Sequence, residues 1–159
     1  MDIGDETAAD RQAIHGLVVE AFGGGPEADM VDRLRADGDL MVSLVARQGG
    51  RLCGYVALSR LQSPARAVAL APVAVSPGEQ NRGIGSALVR AALERARALG
   101  TAIVFVLGKP GYYARFGFTP EAAEPFPCIY AGSHFMALRL SPDATPIAPV
   151  VYADAFATP

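Results

Sequence analysis

The chain has 159 residues, about half of them hydrophobic, and a formal net charge of -2. That length fits one domain with a well-filled core, and so small a charge excludes a protein built to coat nucleic acid, which would be strongly basic. No run of about 18 apolar residues could span a membrane, and the acidic stretch from Met1 to Asp10 lacks the pattern of a secretory leader. A cytoplasmic protein is expected. Cys53 and Cys128 have apolar neighbours and no CxxC spacing, the pattern of buried free thiols; no metal is implied.

Thr7-Ala8-Ala9-Asp10 reads as a helix start, with a capping hydroxyl and an acid three residues on. Ile14, Leu17, Val18 and Ala21 then share one face, and Gly23-Gly24-Gly25 stops the helix. Pro26 opens a second helix with Met30, Val31 and Leu34 inward. Met41–Arg47 and Arg51–Leu61 read as a hairpin about Gln48-Gly49-Gly50. Ala67–Val75 is a nearly all-apolar strand, hence central. Gly83–Leu99 reads as an amphipathic helix with Ser86, Arg90, Glu94 and Arg97 on its polar stripe, closed by Gly100. Ala102–Leu107 is a buried strand, parallel to Ala67–Val75 by the crossover rule. A short helix over Pro110–Phe116 and a last strand over Ser133–Leu140 complete the pattern. Residues 1–159 are expected to be one domain, with a core over about 3–140. The extended tail 141–159 is pinned by Val150, Val151, Tyr152 and Phe156. The apolar last strand and tail also raise the expectation of a homodimer.

The most informative stretch runs from Val73-Ala74-Val75 through a turn to Gln80-Asn81-Arg82-Gly83-Ile84-Gly85-Ser86. A buried strand leads into a glycine-rich helix start, where unpaired N–H groups and the helix dipole favour a phosphate. Two glycines alone would favour a plain strand–turn–helix junction. A dinucleotide fingerprint fails for want of a third glycine, since Leu88 stands there, and a P-loop fails for want of Gly-Lys-Ser/Thr.

The pattern that fits is Gln/Arg-x-x-Gly-x-Gly/Ala, matched by Gln80, Gly83 and Gly85. With Tyr112-Tyr113-Ala114-Arg115-Phe116-Gly117-Phe118 following at the right distance, the chain resembles the GNAT N-acetyltransferase superfamily. It is similar above all to small bacterial members with Gly-x-Pro-x-Tyr-Tyr-x-Arg-Phe-Gly-Phe. The resemblance implies a three-layer α/β fold with a mixed, mainly antiparallel sheet flanked by helices. It implies acetyl-CoA as cosubstrate, with pantetheine paired to the backbone of Val73, Ala74 and Val75 where two strands splay. The pyrophosphate would rest on N–H groups from Gln80 to Ser86, Arg82 adding charge, with Phe116 and Phe118 lining the cleft or the core. An amine acceptor would attack directly, with no acyl-enzyme.

Tyr113 is expected to act as general acid toward the leaving thiolate; a ring that merely packs the short helix is the plainer alternative. The asparagine that many members carry before this segment is absent here, and no carboxylate lies on Leu70–Val75, where many members place a general base. Glu79 (unless merely solvated), His134, Glu20 or water remain open for that role. A non-catalytic acyl-CoA-binding module on the same fold is the competing function.

Overall fold

The computed structural model describes residues 1–143 and 145–157, and every expected strand enters one sheet. Strands β1 (Asp2–Asp5), β2 (Leu40–Gln48), β3 (Arg51–Arg60), β4 (Ala67–Val75), β5 (Ile103–Leu107) and β6 (Phe135–Arg139) lie in that spatial order. Neighbours are antiparallel except β4 and β5, which run parallel. Helix α3 (Ile84–Ala98) joins that pair, because parallel neighbours need a crossover. The β2–β3 hairpin turns on Gly49 and Gly50, whose φ values of 57° and 80° only glycine adopts cheaply.

Three layers result. Helix α3 covers one face of the sheet, burying Ile84, Leu88, Val89, Ala92, Leu93 and Ala96 against Val56, Leu58, Val68 and Val104. On the other face α1 (Arg11–Phe22) and α2 (Pro26–Ala36) enclose Val45, Tyr55, Ala57 and Ala74. The rest of that face holds Phe105, Phe126, Phe135 and Val150. No helix is long and apolar enough to cross a membrane among the described residues.

The structure departs from the sequence reading in several places. Edge strand β1 was not expected, since Ile3 alone is apolar in Asp2–Asp5. Residues Ala8–Asp10 form a 3-10 turn, and α1 begins at Arg11. There the Asp10 carboxylate accepts from the Thr7 N–H at 2.8 Å and its hydroxyl at 3.1 Å, and pairs with Arg47 at 2.5 Å. The expected helix over Pro110–Phe116 is one α turn, α4 (Pro110–Tyr113), followed by a 3-10 turn. A further single turn, α5 (Pro120–Ala123), is capped by the Thr119 hydroxyl, which accepts from the Ala122 N–H at 3.1 Å.

The tail crosses the face that carries α1 and α2. Val150 is buried there, Val151 bridges Ser63, and the Tyr152 ring packs at a tilt against Phe156 with centroids 5.1 Å apart. Gln62 holds the Tyr152 carbonyl and the Asp154 carboxylate. Much of the tail's apolar surface is thus spent on the chain's own body, which removes part of the ground for expecting a second copy. Ala144, Thr158 and Pro159 lie outside the described residues.

Candidate active site

The site begins as a break in the sheet. β4 and β5 pair only from Ala67–Ile103 to Ala69–Phe105, although β4 runs on to Val75 and β5 to Leu107. The cause lies in β4. Val56 pairs with Val73 and Leu58 with Leu70, so Ala57 faces two residues, Ala71 and Pro72. That bulge turns β4 away from β5, and Pro72 has no N–H to offer. Beyond Ala69 the β5-facing backbone of β4 has no strand partner and remains available to a ligand's amides.

Next to this gap β4 feeds α3 through a 3-10 turn (Pro77–Glu79), Asn81 at φ 63° and Gly83 at φ 82°. Gly83 is the N-cap residue, so the first N–H groups of α3, from Ile84 onward, lack helical partners. A groove of about 730 Å³ lies between these groups and α4. Val73 and Val75 wall it on one side, and Gln80, Asn81, Gly83, Ile84, Gly85 and Ser86 form its end. Gly85 keeps it open: a Cβ there would stand 3.3 Å from the Tyr112 hydroxyl and 3.6 Å from Val75 Cγ2. Orphan N–H groups, a cradle that a side chain would fill, and the nearby Lys109 and Arg115 together fit a phosphate-bearing ligand.

Glu79 is not the solvated loop acid that the sequence allowed. Its side chain is only 12% exposed and binds Arg51 at 2.6 Å and Arg82 at 3.1 Å. Arg82, expected to add charge to the site, is thereby tied to Glu79 and lies outside the groove lining. Ala74 points to the opposite face and packs under α1. Phe116 lies outside the groove lining, beneath the Arg90 guanidinium at 4.9 Å, and Phe118 is core. Glu20 and His134 are exposed and do not line the groove. Cys53 and Cys128 are free thiols, Cys53 fully buried and Cys128 partly so.

The two adjacent tyrosines both reach the groove and differ in what they touch. Tyr112 places its hydroxyl 3.2 Å from Ser86 Oγ and its ring under Arg115 at 4.5 Å. The Tyr113 ring packs edge-on to Phe118 and against Gly108, where a Cβ would come within 2.5 Å of the ring. Its hydroxyl has no hydrogen-bond partner among the described residues. Burial, and secondarily the neighbouring Tyr112, push that phenol up to about 12, so it carries its proton throughout the neutral range. Sequence reasoning missed Lys109, Tyr112 and Arg115 as groove residues, although all three lie within the segment matched from Gly108 to Phe118.

Residues 11–118 match the family model described as the acetyltransferase (GNAT) family. The uncharacterized N-acetyltransferase YjhQ of Escherichia coli is 37% identical over 131 residues, covering 77% of this chain and 72% of that protein. The uncharacterized N-acetyltransferase YhbS of Escherichia coli is 35% identical over 145 residues, 87% of each chain. The crystal structure of YhbS in complex with CoA superposes with a TM-score of 0.90 over 99% of this chain and 92% of that one, at 32% identity. A GNAT family acetyltransferase from Brucella melitensis, in complex with acetyl-CoA, gives a TM-score of 0.83 at 32% identity, covering 98% and 97% of the two chains.

Proposed function

The chain belongs to the GNAT acetyltransferase family, and on that premise we propose that it transfers the acetyl group of acetyl-CoA to an amine by direct attack. The observation that carries this reading is the groove itself, with a splayed strand on one side, orphan helix N–H groups at its end and an unpartnered phenol within it. YhbS and the Brucella protein were solved with CoA and acetyl-CoA, and the same ligand fits here. The N–H groups from Gln80 to Ser86 hold the pyrophosphate, and Lys109 and Arg115, which line the groove, add charge. The exposed edge of β4 at Val73, Ala74 and Val75 pairs with the pantetheine amides.

Acetyl-CoA supplies an activated thioester. The amine nitrogen attacks its carbonyl carbon, the C–S bond breaks, and Tyr113 gives its proton to the departing sulfur. The proton shed by the amine passes to water and so back to the phenolate. Glu79 is committed to two arginines and Glu20 and His134 stand outside the groove, so a water chain takes the proton, or an amine arriving neutral removes the need for a protein base.

The test is calorimetric titration with CoA, alongside release of free thiol from acetyl-CoA in the presence of an amine panel. Wild-type protein should bind CoA, and Gly85→Val should lose at least about tenfold in affinity, because its branched side chain enters the space between Tyr112 and Val75. Unchanged affinity in a folded Gly85→Val protein would refute the assignment.

A further inference from the structure

We infer that the acceptor amine is carried on an apolar body, aryl or branched alkyl, which lodges in a pocket between α5 and β6; the inference rests on the acetyl transfer proposed above. Along β5, Ile103 and Phe105 point into the cluster on the face opposite α3. Leu107, two residues further, points the same way by strand alternation. It lies past the last pair between β4 and β5, at the mouth of the gap, and is 50% exposed. Its cross-strand partner is Phe135, and Phe135 lines a pocket of about 310 Å³ with Phe126, Ala123 and Ala131. An apolar surface therefore runs from the splayed strands over Leu107 into an aromatic-walled pocket.

The walls are preformed. Phe105 stacks on Phe135 at 5.4 Å and meets Phe126 edge-on at 5.2 Å. The pocket also connects to the catalytic side, since the His134 carbonyl accepts from the Gly108 N–H at 3.0 Å and Gly108 packs on Tyr113. The volume stands near the low end for small-molecule sites and suits one ring or a branched chain. Glu124 stands at the rim with no ion pair among the described residues. Its charge disfavours acceptors bearing a carboxylate, so an amine should be preferred to the amino acid with the same side chain.

The experiment measures phenethylamine, isoamylamine, phenylalanine and spermidine, both as acceptors and as ligands of the protein–CoA complex by calorimetry. The two apolar amines should exceed spermidine and phenylalanine by about tenfold or more in kcat/KM and in affinity. Ala131→Trp, at an exposed loop position, fills the pocket and should raise their KM by about tenfold while leaving CoA affinity unchanged. Leu107→Ser, also at an exposed position, should act in the same direction. Preference for spermidine or phenylalanine, no amine binding at all, or an unchanged KM in both variants would overturn the inference. Loss of CoA binding in the wild-type titration would instead strike the proposed function.

Discussion

Tyr112 and Tyr113 share one chemistry and differ in company. The Tyr113 hydroxyl makes no bond within the described chain, so Tyr113→Phe should leave stability within about 0.5 kcal/mol and CoA affinity unchanged. Turnover should fall by about a hundredfold, the worth of a positioned acid. Tyr112→Phe loses the contact to Ser86 at 3.2 Å and should cost about 1 kcal/mol of stability, with turnover held within about threefold. Steady-state kinetics with chemistry rate-limiting, beside chemical denaturation, checks both. A sensitive Tyr112 with a silent Tyr113 would reverse the roles. The sequence pointed to Tyr113 by its distance from Gly117. Which hydroxyl is free depends on where Ser86 comes to lie, and no local pattern reports a contact across 26 residues.

At the scale of elements, α3 approaches the sheet so closely because β3 carries a glycine where it crosses. A Cβ on Gly54 would stand 2.8 Å from Leu88 Cδ1 and 3.0 Å from Ile84 Cγ2. Gly54→Ala should therefore destabilise by about 1–3 kcal/mol through overpacking, measured as a lower denaturant midpoint. Because Ile84 opens α3, the same variant should also weaken CoA binding by shifting the helix N-terminus. Equal stability of the variant would show that the helix can retreat at no cost. The strand and the helix were legible as a run of apolar residues and a 3.6-residue stripe. The splay was legible only through resemblance, since its local cause, the Ala71-Pro72 bulge against Ala57, needs the register of β3 and β4 to be seen.

At the scale of the molecule, one polar network ties together the face that carries α1 and α2. The Glu6 carboxylate, just after β1, accepts from Arg35 of α2 at 2.7 and 2.9 Å and from the Ser43 hydroxyl of β2. Ser43 in turn meets the Tyr55 hydroxyl of β3 at 2.6 Å. Burial raises the Glu6 carboxyl, and the bonds from Arg35 and Ser43 more than offset it, so its pKa lies below the ordinary value. Burial pushes Tyr55 up to about 12, as it does Tyr113. Below about pH 10 folded and unfolded tyrosines both hold their protons. Between 10 and 12 the unfolded chain ionises first, so stability is present below pH 10 and lost as pH rises through that window. Denaturant midpoints measured from pH 8 to 11.5 should fall above 10, and less steeply in Tyr55→Phe. An identical slope in the variant would remove Tyr55 from the account.

The sequence by itself determined the order of most helices and strands, the parallel pair and the glycine-rich turn that opens α3. Each depends on neighbours along the chain: strand alternation, helix periodicity, or glycines at fixed spacing in Gly83-Ile84-Gly85. It did not determine edge strand β1, whose one apolar side chain is Ile3 and which exists because β2 offers it a ladder from Asp2–Arg47 to Asp5–Leu44. Nor did it decide the company of Glu79, which the loop presents to Arg51 and Arg82, or the exclusion of Phe116 from the groove by its packing under Arg90. The acceptor pocket likewise joins α5 to a strand more than ten residues later in the chain. Contacts of that kind are set by how layers stack, and the chain's local preferences carry no record of them.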